Sequence, residues 1–249
     1  MANSYSIGRL FGIPIRVHVT LLIFLPLFAF SFMPVDGLRG IFYGALGAVG
    51  LFASVALHEI GHSLVARAKG SRILEILLLP IGGMARLSAL PRRPADEIQT
   101  ALAGPAVSLA LGVAGWFGAP YVYSFNPLLA VVVYELGRIN IMLVLFNLIP
   151  SFPMDGGRVF RAALVPRLGR LRATQMAAQV GRVFAWLFGI WAIWPAFHGG
   201  HLNVTLLVIA YFIYQTAGAE ARAAEWEALE EMQRGQPSGL FDDLLHKWR

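Results

Sequence analysis

The sequence predicts an all-α polytopic membrane protein, six transmembrane helices accompanied by short membrane-associated β-strands. Three observations lead there. Of the 249 residues 57% are hydrophobic and only 14% charged, whereas a soluble domain carries about 25% charged residues. Six stretches are apolar over the roughly 20 residues that a helix needs to cross a bilayer. The basic residues between them crowd into alternate connections.

Composition also excludes. So little charge cannot cover a water-facing exterior, and the mean hydropathy of +0.64 makes lipid the natural solvent for most of the chain. The absence of cysteine rules out disulfides, thiolate catalysis and Cys-ligated zinc. A formal charge of +6 would suggest nucleic acid in a soluble protein. In a membrane protein it is read by position instead, and no nucleic-acid partner is expected.

Taken in order, residues 1–20 lack the short apolar run and small-residue site of a cleavable signal. Residues 5–16 hold Gly8, Gly12 and Pro14, and predict a short strand or hairpin at the membrane surface. The first span is residues 17–34 and the second 40–66, rich in Gly and Ala with HEIGH near its end. Residues 72–90 are apolar but broken by Pro80, Gly82 and Gly83, which predicts short strands rather than a helix. Such backbone is tolerated at membrane depth only against protein or water. The remaining spans are 97–118, 127–149, 179–197 and 202–219. A polar tail, 220–249, follows the core of 1–219, and its EARAAEWEALEEM segment predicts a solvated cytoplasmic helix.

The charges orient these spans. Arg9 and Arg16 precede the first. Arg67, Lys69, Arg72, Arg86, Arg92 and Arg93 lie between the second and third, and Arg158, Arg161, Arg167, Arg170, Arg172 and Arg182 between the fourth and fifth. Arg222, Arg234, Lys247 and Arg249 follow the sixth, whereas the other three connections hold only Arg39. The positive-inside rule then makes both termini cytoplasmic, which requires an even number of spans.

His58-Glu59-Ile60-Gly61-His62 is the sharpest chemical feature. Positions i and i+4 share a helix face, about 6 Å apart along the axis, so two imidazoles there can bind one zinc ion. Glu59 beside the first ligand can take a proton from an activated water. A carboxylate submerged in a span costs about 2.5–3.5 kcal/mol, which makes it functional by default. Zinc needs a third protein ligand. A His six residues after His62 is absent, because position 68 is Ala, and the acidic residues at membrane depth are Glu135 and Asp155. Asp155 lies in NLIPSFPMDGG, where two prolines break the helix and two glycines permit tight backbone geometry. This setting fits either a carboxylate turned toward a metal or a plain Asp-Gly turn.

Other polar residues take simpler readings. Glu135 and Arg138, at i and i+3, neutralise one another. Gly104-Pro105 allows close packing and a kink. His18 is interfacial, and His198 and His201 fall on the membrane side opposite HEIGH, which removes them as ligands.

HEIGH on a membrane helix, then LPIGGMAR, AGPAVS at 103–108 and NLIPSFPMDGG, resembles the site-2 protease family of intramembrane zinc metalloproteases. The likeness covers residues 10–165. It implies that one zinc is held by His58, His62 and Asp155, that Glu59 is the general base, and that Asn147 lies near the metal. Where the family's AGP motif is often followed by Asn, this chain has Ser108, which weakens a polar role at that position. The connection 67–96 is too short for the PDZ domain many members carry, and about 30 residues after the sixth span leave no room for a CBS pair, so a minimal catalytic core is expected.

The implied reaction is peptide hydrolysis near the cytoplasmic face, on single-span membrane proteins such as tethered regulators. A transmembrane substrate must unwind before attack, exposing backbone groups that each cost several kcal/mol in lipid if unpaired. Ile81, Gly82 and Gly83 are expected to hold it as an added strand. The competing reading is a membrane zinc-binding protein without proteolysis, as transporter, sensor or pseudoprotease. The scarcity of polar residues in the outer half of the spans opposes a cation path.

Overall fold

The computed structural model describes residues 3–80, 82–88 and 93–235. Ile81, one of the three residues expected to hold substrate, lies outside them. The chain forms two compact units, Met1–Ile149 and Pro150–Arg249.

The first unit opens with two antiparallel strands, β1 (Ser4–Leu10) and β2 (Ile13–His18). The two residues between them, Phe11 and Gly12, both have positive φ, 50° and 79°. Two such residues in succession match the twist of a tight hairpin, and Gly12 takes that conformation without a Cβ penalty. Helix α1 (Val19–Phe30) follows, capped by the His18 imidazole, which accepts from Thr20 N–H. Helix α2 (Met33–Ala68) carries HEIGH. Strands β3 (Ile73–Leu79) and β4 (Gly82–Leu87) come next. Helices α3 (Pro94–Tyr123) and α4 (Pro127–Asn147) complete the unit.

The strands form one sheet in the order β1-β2-β3-β4, with β2 parallel to β3 and the outer pairs antiparallel. Every second residue of β2, Ile13, Ile15 and Val17, is buried, as the period-two geometry of a strand requires. They pack with Ile76 and Leu78 of β3 against Phe52, Ala56 and Ile60 of α2. Spaced four apart, those three residues form one stripe of the helix. Strands β2 and β3 thus fix the roll of α2 and leave its other faces for β4 and α3.

Helices α3 and α4 approach closely because glycines of both lie at the crossing. A Cβ on Gly115 would stand 2.6 Å from Gly137 Cα, and one on Gly112 would meet Ile141. Small residues let backbones approach where lipid offers no hydrophobic drive to associate. Asn140, buried between α2 and α4, donates to Ser54 Oγ (3.0 Å) and to the Leu136 carbonyl.

The second unit contains α5 (Asp155–Leu168), α6 (Arg170–Phe197) and α7 (Val204–Gly235). Gly169, with φ 74°, turns the chain between α5 and α6. Alanines 177, 178 and 217 surround Phe152, and Met154 packs on Ala185 and Ile213. The loop ahead of α5 is therefore anchored by two apolar side chains set into the α6–α7 pair.

Among the described residues, five helices are long and apolar enough to cross a membrane: residues 36–68, 94–123, 127–147, 170–197 and 204–230. They cover the second to sixth expected spans. The first differs. Helix α1 has only 12 residues, because β2 holds the chain in a strand up to His18. The backbone nevertheless stays right-handed through Ser31 and Phe32 and leaves the helical region only at Asp36 and Gly37. The break falls between the expected first and second spans. Helix α7 runs unbroken through position 219, where the sequence reading ends the core.

Candidate metal centre

Within the first unit, α2 presents His58 and His62 to α3. They are 4% and 7% exposed. Their Nε2 atoms face each other at 3.1 Å with the rings near perpendicular at 79°. Each Nδ1 is engaged on the far side, His62 with the Thr100 carbonyl (2.7 Å) and His58 with Ser108 Oγ (2.9 Å).

These contacts decide where the protons sit. A carbonyl only accepts, so His62 Nδ1 carries hydrogen and its Nε2 exposes a lone pair when neutral. Gly104 N–H also points at His62 Nδ1, at 3.4 Å. One nitrogen cannot donate and accept with the same valence, and the shorter contact to Thr100 prevails. The Ser108 hydroxyl can donate or accept; where it accepts from His58 Nδ1–H, a second Nε2 lone pair faces that of His62, and two lone pairs 3.1 Å apart repel unless a cation lies between them. Nitrogens about 2.0–2.1 Å from a tetrahedral zinc stand roughly 3.3–3.4 Å apart, close to the spacing found. The donor set thus fits a metal ion; both outer partners hold a ring, and the Thr100 carbonyl also fixes the tautomer of His62.

Gly104 is the floor of this arrangement. A Cβ there would lie 2.7 Å from His58 Nε2 and closer still to the His62 ring. The sequence reading had assigned Gly104-Pro105 to helix packing. The packing is real, but its partner is the pair of imidazoles. Gly61, the fourth residue of the motif, admits the backbone of α3, since its Cβ would meet the Ala103 carbonyl oxygen at 2.8 Å.

Ser108 corrects an expectation. The sequence argued against a polar role there, yet its side chain is fully buried and its hydroxyl meets His58. Ser and Asn each offer a group able to accept from an imidazole N–H, so the departure from the family pattern leaves a polar group against His58. Thr100 was not singled out, and could not have been: it contributes a main-chain oxygen, on which its side chain leaves no mark.

Glu59 points another way, toward β4. Its Oε2 accepts from Ala85 N–H at 3.2 Å, and a Cβ on Gly83 would stand 2.6 Å from its Cγ. Strand β4 is an edge of the sheet, hydrogen-bonded on one side to β3. Gly82 begins it with φ 139°. Asn147 closes α4, and its Nδ2 donates to the Leu143 carbonyl one turn back in the same helix, at 3.0 Å.

In the second unit, Asp155 is 7% exposed and opens α5. A carboxylate in a first helical turn lies where the macrodipole favours negative charge. Gly157 lets the loop fold back over this turn, since a Cβ would meet the Ser151 and Phe152 backbone at 2.5–2.7 Å. His58, His62 and Asp155, all buried, form a group able to hold a metal ion. Glu135, the other acidic residue considered, lies on α4 and pairs with Arg138 at 2.6 Å. His198 contacts the Trp194 carbonyl and stacks on its ring.

Buried histidines four apart on a membrane-length helix, a glutamate beside the first of them and a buried aspartate in the first turn of a helix define a class, the integral membrane metal proteins. The chain belongs to Peptidase family M50, whose model matches residues 46–128 and 123–188. Among relatives, Zinc metalloprotease MJ0392 of Methanocaldococcus jannaschii is 37% identical over 234 residues, covering 92% of this chain and 64% of that protein. The sll0528 protein of Synechocystis sp. is 36% identical over 242 residues, 90% of this chain and 62% of its own length. The chain therefore spans less than two thirds of both. The solved structure of the site-2 protease from Methanocaldococcus jannaschii matches with TM-score 0.63 and 33% identity, over 88% of this chain and 95% of that one.

Proposed function

We propose that this protein is a zinc endopeptidase that cuts the transmembrane segment of single-span membrane proteins, close to the cytoplasmic face. The observation that carries the reading is the His58–His62 pair, with both Nδ1 atoms committed outward and both Nε2 atoms inward, beside a glutamate. The kinship with a named site-2 protease and a named zinc metalloprotease supports it.

In this reading His58, His62 and Asp155 hold one zinc, which when bound supplies a Lewis acid that acidifies water and polarises a peptide carbonyl. Glu59 takes the proton from the attacking water and returns it to the leaving amine. Its hydrogen bond to Ala85 N–H aims the carboxylate along the β4 edge. Substrate lies on that edge as an added strand, its freed backbone groups pairing with β4 at Gly82 and Gly83 and, by extension, Ile81. Gly83 has no side chain to hold the substrate backbone away from Glu59. Asn147 releases Leu143 and donates its amide to the substrate carbonyl or the developing oxyanion.

The same reading counts residues 17–34, with α1 inside them, as a sixth span, and puts both termini in the cytoplasm. Residues 220–249 then form a cytoplasmic tail to a core of 1–219. The alternating placement of arginine supports it.

The test is cleavage of candidate single-span proteins, with metal content measured on the same preparations. Glu59→Gln should retain one zinc per chain and lose cleavage by at least about 10²-fold. Asp155→Ala should lose metal, whereas Glu135→Ala should keep it. Asn147→Ala should keep metal and turn over slowly. Cleavage undiminished in Glu59→Gln would remove the mechanism. Metal-replete but proteolytically inert wild type, across substrates, would favour a binding protein instead.

A further inference from the structure

The second unit carries a pair of arginines with no acidic counterpart. Arg182 of α6 and Arg222 of α7 converge on Gly218: a Cβ there would stand 3.4 Å from Arg182 Nη2 and 3.3 Å from Arg222 Nη1. Arg182 Nε is buried and makes no hydrogen bond. Among the described residues no carboxylate lies within ion-pair distance of either guanidinium. Nearby Glu220 faces Arg161, at 4.0 Å, and Glu225 accepts from Gln175. Two like charges held together, one with a buried N–H pointing at nothing, are unfavourable unless an anion joins them.

Position says which anion. Both arginines bound the apolar stretches of their helices: 183–197 follows Arg182, and 204–219 precedes Arg222. They therefore stand at the level where a membrane's hydrocarbon gives way to its headgroups. Directly on the apolar side, Arg182 lies over the Tyr214 ring at 5.7 Å, and Tyr214 meets Trp186 edge to face. Both aromatic rings are exposed. Tyr214, Gly218 and Arg222, four apart, are one stripe of α7. The result is a shallow groove with apolar rings at one end, a glycine floor, and two guanidinium groups at the other.

We propose that this groove binds the phosphodiester of an anionic phospholipid. The arginine forks donate to the phosphate oxygens, and the acyl chains run along Trp186 and Tyr214. A planar guanidinium suits phosphate because two parallel N–H groups match two oxygens. Gly218 is required because any side chain would occupy the space of the phosphate. The lipid would tie α6 and α7 together where they leave the bilayer.

The experiment uses the full chain purified in a neutral detergent. Retention of phosphatidylglycerol, of phosphatidylcholine and of inorganic phosphate is measured separately by native mass spectrometry. Wild type should retain one phosphatidylglycerol in preference to phosphatidylcholine. Arg182→Gln and Arg222→Gln should each weaken retention about fivefold, the factor expected for one arginine at a membrane surface. Gly218→Leu should weaken it without changing the charge. Arg172→Gln, an exposed arginine elsewhere on α6, should leave it unaltered. Arg222 is itself exposed, so its variant tests the idea even if a change at the partly buried Arg182 impairs folding. Equal retention of phosphatidylcholine, or an equal loss in Arg172→Gln, would overturn the proposal. Retention of inorganic phosphate without lipid would replace the lipid by a soluble phosphate.

Discussion

At the scale of single residues, the two outward contacts of the imidazoles govern the metal site. Ser108 fixes the His58 ring through a side chain, and Thr100 fixes His62 through a carbonyl that no substitution at Thr100 removes. Ser108→Ala should therefore weaken zinc binding about 10- to 100-fold, the usual effect of losing a ligand's outer partner. Ser108→Asn should restore much of it if the wider side chain fits the same pocket. Gly104→Ala should weaken it more, because the added carbon enters the space of both rings. A competition titration with a chromophoric chelator reads all three. Unchanged affinity in Ser108→Ala would mean that the hydroxyl is a spectator.

Elements act by setting directions. One stripe of α2, through Phe52, Ala56 and Ile60, lies on the sheet, and this turns Glu59 to β4 and the histidines to α3. Glu59 and the histidine pair can thus be displaced separately. Gly83→Pro removes a main-chain donor from β4 and adds a ring against Glu59. It should cut cleavage sharply while zinc content is unchanged. If substrate adds to β4 as a strand, helix-breaking residues near the scissile bond should speed cleavage by wild type, because less unwinding remains to be done. A substrate series with Gly-Pro or Leu-Leu beside the cut site measures this. Equal rates across the series would sink the added-strand reading.

At the scale of the whole molecule, lipid is the organising solvent. Exposed Phe, Leu, Trp and Tyr side chains cover much of the surface. Five helices have the length and hydropathy to span, and α1 with its continuation decides whether the number is six. Reporter fusions at both ends of the full chain provide the measurement. Both reporters should read as cytoplasmic, since an even number of spans returns the chain to the side from which it started. Opposite sides would mean that α1 does not cross, and would leave five.

Much of this protein was legible without coordinates. Apolar runs of membrane length, separated by arginine-rich connections, announce spans because lipid penalises every charge and every unpaired backbone group. HEIGH announces a metal because residues four apart must share a helix face. Gly82 and Gly83 announce strands because they break an otherwise apolar run. What only the tertiary structure decided lies in contacts between segments distant in sequence. The Thr100 carbonyl under His62, the Ser108 hydroxyl under His58, the Gly104 floor and the Glu59 bond to Ala85 all join residues between 26 and 50 positions apart. Periodicity reports which face of a helix is apolar, but not which segment will cover it. The partners of a metal site are chosen by that covering, and three of the four here use main-chain atoms, which every residue carries alike.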